Sequence, residues 1–347
     1  MGVVKKDTLQ KIFLVIELET ADISDHIIIS MSLKSNNSTN MRVILLLALV
    51  FPTIAKSAYP GIVMTSVDAK ILSETRVEFS GRIEGKEDDT TAIIIKNVIE
   101  DRWEGSFWNR HPIFQADLVS PRELKASVKK PLLAIHGFNV QPESHLKQCK
   151  EARDKFEKFD LIPVIWPSTG GVTNYLGDRG YSKGAGKAFR TLKKYAGMFP
   201  RKSLLAHSMG NRVLRYAADG DFMFDNVFMA AADVDNRIFN KNYIDDNSED
   251  SRKDGLRICR MLNNVKSKIY CLHNGQDYAL LGSTVQKLGT GRLGLGGTDE
   301  SKVHPELKGK VVNVNCGQKW LNWGMNFAAH SYQWDDEAIK FYDSKCI

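Results

Sequence analysis

In the run Lys202-Ser203-Leu204-Leu205-Ala206-His207-Ser208-Met209-Gly210-Asn211, an apolar strand ends on a serine and helix-compatible sequence starts straight after it. A serine hydroxyl is a weak nucleophile. It becomes reactive when a sharp strand-to-helix turn holds its oxygen where an imidazole can take the proton and backbone N–H groups can meet a developing oxyanion. Small residues two before and two after the serine let such a turn close. Ala206 and Gly210 stand there, so the pattern is Ala-x-Ser-x-Gly in place of the commoner Gly-x-Ser-x-Gly. Five residues are a weak signal alone, because serine and glycine are also ordinary turn formers.

The context lies upstream. Pro131-Leu132-Leu133-Ala134-Ile135-His136-Gly137-Phe138-Asn139 is a second buried-type strand, running into a His-Gly loop. Two apolar strands, each followed by a loop and helical sequence, indicate parallel β/α units, and in such sheets ligands bind at the carboxyl ends of the strands. Both Ser208 and His136-Gly137 fall there. With these motifs the chain resembles the α/β-hydrolase superfamily. The resemblance is closest to a bacterial branch known mainly as a domain of unknown function, and it covers about residues 130 to 335. Asn211, the run Ala230-Ala231-Ala232-Asp233-Val234-Asp235 and the run Gln276-Asp277-Tyr278-Ala279-Leu280 carry the likeness to that branch. It implies an α/β fold with a mostly parallel sheet, helices on both faces and early antiparallel strands. It also implies an oxyanion hole made by the amides of Phe138 and Met209, shaped by His136 and Gly137.

The superfamily's chain order is serine, acid, histidine. Lys268-Ile269-Tyr270-Cys271-Leu272-His273-Asn274 reads as a late core strand with Asp277 in the loop beyond it. Lys310-Val311-Val312-Asn313-Val314-Asn315-Cys316 reads as one more strand, followed by the segment that carries His330. The resemblance then assigns Ser208 as nucleophile, His330 as base and Asp277 as the acid that fixes the imidazole tautomer. Asp233, at the end of the preceding apolar strand, is the alternative acid, and chain order does not separate the two. His207 adjoins the nucleophile on a tight turn, where neighbouring side chains diverge, and it reads as a supporting residue under the elbow. Neither His-x-x-x-His nor Cys-x-x-Cys occurs, so neither a metal nor another cofactor is implied.

Several segments must position these residues. Hydrophobic residues make up 43% and charged residues 26% of the chain, which is globular composition. The net charge of +7 is spread along the sequence without a basic tail, so no nucleic-acid partner is expected. Met41-Arg42, the apolar run 43–51 and small residues ending at Ser57-Ala58 have the layout of a signal peptide too short for a transmembrane helix. The expected organisation is a start-site extension over 1–40, a signal peptide over 41–57, N-terminal strands or a small accessory region over 58–128, and the hydrolase core over 129–347. Export to the periplasm or medium follows if the signal is used, with a cytoplasmic chain or an uncleaved N-terminal anchor as the alternatives. The alternative local reading of 41–57 is a packed helix.

Five scattered cysteines leave at least one thiol free, and Cys149 with Cys259 is one conceivable pair. Gly170, Gly171, Gly177, Gly180, Gly184 and Gly186, with Tyr175 and Tyr181 among them, read as a loop after the strand 161–166. The stretch 185–195 reads as an amphipathic helix. The stretch 289–297 resembles a glycine-containing loop of the same branch and lacks the ending of a nucleotide loop. The function expected is a serine hydrolase working through an acyl-enzyme on short or medium acyl esters, with small-molecule esters or lipids as substrates. A catalytically degenerate relative kept as a binding or interaction protein is the alternative, because fold alone does not establish activity.

Overall fold

The computed structural model describes residues 13–18, 28–34, 41–46, 56–66, 69–80, 92–105, 111–120, 122–124, 128, 130–168, 175–191, 201–217, 224–241, 265–281, 291–317 and 330–346. The chain divides into two compact units between Ile54 and Ala55. The first holds β1 (Phe13–Leu18), β2 (Ile28–Lys34) and β3 (Met41–Leu46) in an antiparallel meander. Its last strand occupies the start of the stretch read as a leader. That start is therefore extended and not the packed helix considered from sequence. Residues 47–55 lie outside the described residues.

The second unit opens with β4 (Lys56–Thr65), β5 (Ala69–Ser73), β6 (Arg76–Ser80), β7 (Ile93–Glu104) and β8 (His111–Leu118). These pair antiparallel with one another. They extend the main sheet and do not form a separate sheet of their own. Then come β9 (Pro131–Ile135), α1 (Pro142–Arg153), β10 (Asp160–Ile165), α2 (Tyr175–Thr191), β11 (Ser203–His207), α3 (Gly210–Ala217), β12 (Asn226–Ala230), β13 (Lys268–His273), the short α4 (Leu293–Gly296), β14 (Val311–Asn315) and α5 (Asp336–Ser344). All six later strands run parallel, giving an 11-stranded sheet of order β14-β13-β12-β11-β9-β10-β4-β7-β8-β6-β5.

The apolar runs of β9, β11 and β12 are buried at every position because both faces of this half are covered. On one face Ile135, Ile162, Ala206, Val227 and Ile269 share a core with Ala188 and Phe189 of α2 and Val213 of α3. On the other, Leu132, Leu161, Leu205, Phe228 and Leu272 share one with Leu146 of α1 and Ile339 and Tyr342 of α5. At roughly 1.5–3 kcal/mol for each large apolar side chain withdrawn from water, these two layers are what hold the strand ends in place.

The glycine-rich stretch after β10 corrects the sequence reading. From Tyr175 onward it is helical, starting ten residues ahead of the expected helix, while Gly170 and Gly171 lie outside the described residues. One of its glycines, Gly186, serves close packing. A Cβ on Gly186 would come within 2.4 Å of Tyr216 Cβ and 2.8 Å of the Val213 carbonyl, so a small residue lets α2 lie directly on α3. The stretch 291–297 is likewise packed, with the Leu293 amide donating to Val234 O and the Gly294 amide to Ala232 O.

Pro163 is unexpected in an interior strand, since it has no amide hydrogen for the ladder. It is tolerated because β10 meets β4 only at the two residues after it, Val164 and Ile165. Before that point the strands diverge around a groove of about 890 Å³ lined by Tyr59, Gly61, Ile62, Leu161 and Ile162 among others. Tyr59 Oη bridges part of the gap by donating to Leu161 O at 2.6 Å. Among the described residues Cys149, Cys271, Cys316 and Cys346 are free thiols; Cys259 lies outside them. No helix among the described residues is long and apolar enough to cross a membrane.

Candidate active site

β11 delivers Ser208 to a turn that closes through its own backbone. Ser208 has φ +51°, a left-handed conformation that costs a non-glycine residue energy and persists only where its surroundings enforce it. Here the Ser208 amide donates to Ala230 O at 2.9 Å, and the Ser208 carbonyl accepts from the amides of Asn211 at 3.1 Å and Asp233 at 3.2 Å. Asn211 Nδ2 adds bonds to Ala206 O and Ser208 O. This explains the asparagine directly after Ser-Met-Gly: its side chain ties the elbow to the strand that feeds it. Gly210 is required by space, because a Cβ there would lie 2.5 Å from the His136 carbonyl.

The loop after β9, the candidate oxyanion loop, packs against this turn. A Cβ on Gly137 would stand 2.8 Å from both His207 Nδ1 and Ser208 Cβ, so the loop after β9 reaches the elbow only as glycine. His136 is buried and stacks on Trp166, with ring centroids 5.2 Å apart. Its Nδ1–H donates to Gly137 O at 2.9 Å, while Nε2 accepts from the Trp166 amide at 3.2 Å. Trp166 Nε1–H also donates to the His136 carbonyl. Burial pushes the His136 pKa down to about 4, so the ring is neutral and serves the loop as a strut. Phe138 follows at the loop's half-exposed tip, its ring edge-on to Tyr175 at 5.4 Å. Met209, the other candidate amide, is buried directly after the serine.

His330 and Asp277 arrive from two further segments. Ser208 Oγ lies 2.9 Å from His330 Nε2, and His330 Nδ1 lies 2.7 Å from Asp277 Oδ2. Asp277 is fully buried in the turn after β13, where its Oδ1 accepts from the Leu280 amide at 3.1 Å. With Nδ1–H donating to the carboxylate, Nε2 is left as acceptor for the serine hydroxyl. Such a line can pass a proton from hydroxyl to imidazole and stabilise the resulting imidazolium. The segment that carries His330 is anchored two residues on, where Tyr332 Oη donates to Leu272 O at 2.7 Å and accepts from the Ala231 amide at 2.8 Å.

Asp233 has other company. Its Oδ2 accepts from Tyr175 Oη at 2.5 Å and faces Arg212 Nε at 3.4 Å, while its Oδ1 faces Arg292 Nε at 3.2 Å. All three charged side chains are buried. The sequence reading names Tyr175 only as part of a loop, and it does not name Arg212 or Arg292. The signal for Arg212 is its place in the first turn of α3, directly behind the serine; Arg292 sits in the glycine-containing stretch and gives none. His207 lies under the elbow as expected, with Nε2 2.7 Å from the His330 carbonyl.

The family comparison agrees with this architecture. Residues 115–320 match a family model described as an α/β hydrolase of unknown function (DUF900). The chain belongs to that hydrolase family. Among solved structures, it is similar to a cold-adapted esterase from an Arctic intertidal metagenomic library, at 12% identity over 81% of this chain and 98% of that one, with a TM-score of 0.36. It is also similar to the acylaminoacyl peptidase of Pyrococcus horikoshii, at 11% identity over 94% of this chain and 49% of that one, with a TM-score of 0.32. No curated protein matches the chain. A mostly parallel sheet with helices and early antiparallel strands fits that α/β-hydrolase family.

Proposed function

We propose that the chain is a serine hydrolase that cleaves small-molecule carboxylic esters through an acyl-enzyme. The observation that carries this reading is the line Asp277, His330, Ser208, with hydrogen-bond separations of 2.7 and 2.9 Å. Ser208 Oγ attacks the ester carbonyl carbon as its proton passes to His330 Nε2, and the carbonyl oxygen takes the negative charge. The Phe138 and Met209 amides receive that oxyanion. Collapse expels the alcohol, which leaves with the proton from His330. Water then attacks the acyl-enzyme, gives a proton to the same nitrogen and releases the acid, and Ser208 recovers its hydrogen. Asp277 keeps Nδ1 protonated and balances the imidazolium in both halves.

A fluorophosphonate probe on the purified protein tests the reading directly. Wild type is expected to be labelled at Ser208 and to turn over p-nitrophenyl acetate, whereas Ser208→Ala should fold normally and do neither. A labelled Ser208→Ala protein would move the nucleophile elsewhere, and an unlabelled wild type would favour a binding protein. For substrate size, the support is the connection from β10 to β11, which among the described residues holds one helix, α2, and no apolar cap. Short esters should then exceed long ones in kcat/KM by about tenfold or more, since each unseated methylene forfeits on the order of 1 kcal/mol. Rates rising steadily from acetate to palmitate would identify a lipase instead.

The exported form is proposed to begin at Ala58. Supporting it are the signal-like pattern of 41–57 and the position of Tyr59, whose pairing with Val98 and bond to Leu161 O such a chain would keep. Amino-terminal sequencing of protein expressed from Met41 should read Ala58; an intact leader on cytoplasmic protein would refute it.

A further inference from the structure

Beside the line Asp277, His330, Ser208, the residue before the nucleophile makes three contacts that its neighbours do not explain. His207 is buried, and its Nε2 lies 2.7 Å from the His330 main-chain carbonyl. A carbonyl only accepts, so Nε2 carries the proton. The two rings lie 4.9 Å apart and tilted by 57°. On its other edge, Nδ1 faces the space that Gly137 leaves by lacking a Cβ. One imidazole is thus wedged between the oxyanion loop, the elbow and the segment that supplies the base. We infer that His207 is a positioning residue, which holds the His330 main chain at the distance from Ser208 that proton transfer requires.

This rests on the hydrolase reading and adds a donor requirement that the triad alone does not impose. Tyr332 ties the same segment down two residues later, but on β12 and β13, not on the elbow. Without His207, the His330 main chain loses its hydrogen bond to the serine's own turn. Neutrality is part of the role. Burial, and secondarily the nearby His330, push the His207 pKa down to about 3, with His136 also facing the ring. A protonated His207 would set a cation against the imidazolium that must form on His330.

Replacement by glutamine keeps an N–H near the Nε2 position, and replacement by phenylalanine fills the space without one. Turnover is referred to sites titrated with the fluorophosphonate, so a partly unfolded sample does not imitate a slow one. His207→Phe should lower kcat per labelled site by about 10²-fold, the cost expected of a reacting group displaced by about 1 Å, with KM little changed. His207→Gln should recover most of the loss. Equal losses in both variants, or none in either, would overturn the role. If the phenylalanine variant does not fold, ¹⁵N shifts of His207 in the wild type decide the matter. A neutral ring with its proton on Nε2 from roughly pH 5 to 8 is expected, and a charged ring or a proton on Nδ1 overturns the inference. Failure of the hydrolase reading shows separately, as an unlabelled wild type or a labelled Ser208→Ala.

Discussion

Two aspartates stand at the carboxyl ends of adjacent strands, Asp233 just beyond β12 and Asp277 just beyond β13, and they have opposite fates. Asp277 is buried against one histidine and one backbone amide. Asp233 is buried against two guanidiniums and a phenol. A carboxylate can orient and stabilise an imidazolium only if that imidazole is its dominant partner. One held between two permanent cations is already neutralised and has little left to offer a neighbour. Under the proposed reading the pair divides one chemical type into two jobs: polarising His330, and locking the elbow to α2 and to the turn before α4. Position at a strand end makes both residues candidates, and the charges around them separate the roles.

Exchanging each carboxylate for its amide should expose that division most sharply. Asp277→Asn is expected to reduce kcat by about 10⁴-fold, because the amide favours the wrong tautomer of His330, while thermal stability changes little. Asp233→Asn should do the reverse. Removing one partner of a buried ion-pair cluster costs about 3–5 kcal/mol, read by urea denaturation, and activity per labelled site should stay within about tenfold of wild type. If Asp233→Asn instead abolishes turnover in a stable protein, the two roles have been exchanged.

Acid tests the same contrast by a different route. The region behind the oxyanion loop holds buried neutral histidines: burial pushes His136 down to about 4, His207 to about 3, and His145 below the usual imidazole range. Unfolded, these rings take up protons below about pH 6.5. Between that value and about pH 4 the unfolded chain binds more protons than the folded one, so stability falls as pH falls, by up to about 1.4 kcal/mol per pH unit for each histidine. Urea midpoints measured at intervals from neutral to acid pH check this. A His136→Phe variant should lose part of the slope, and an unchanged slope would mean that the ring is protonated when folded.

Much of this arrangement was legible in the sequence, for an identifiable reason. Strands β9 to β14 are short apolar runs that end where chemistry begins, so Ser208, Asp277 and His330 could be placed at the edge of a sheet from pattern and chain order. The structure brings these three together. The choice between Asp277 and Asp233 was not legible, because it depends on Arg212 and Arg292, and Arg292 is remote in sequence from the aspartate it meets. The start of α2 was hidden as well. Its glycines read as a loop, and the contact of Gly186 with Tyr216 and Val213, which accounts for one of them, is visible only once α2 lies on α3. The small part played by β4 in joining the halves could not be read at all, since strand pairing across the sheet leaves no local trace.

That last join governs how the molecule responds to temperature. Among the described residues, the parallel half, with the elbow, and the antiparallel half are joined by the Val164 and Ile165 pairing, the Ser66 amide to Ile165 O and the Tyr59 hydroxyl, and by an apolar cluster to which Met64, Ile94 and Val164 all belong. Adhesion of that kind draws on the hydrophobic effect, which weakens on cooling. Near freezing, amide exchange should therefore rise along β4 before it does in β9 or β11, and the halves would begin to part in the cold while the serine and its histidine stay in register.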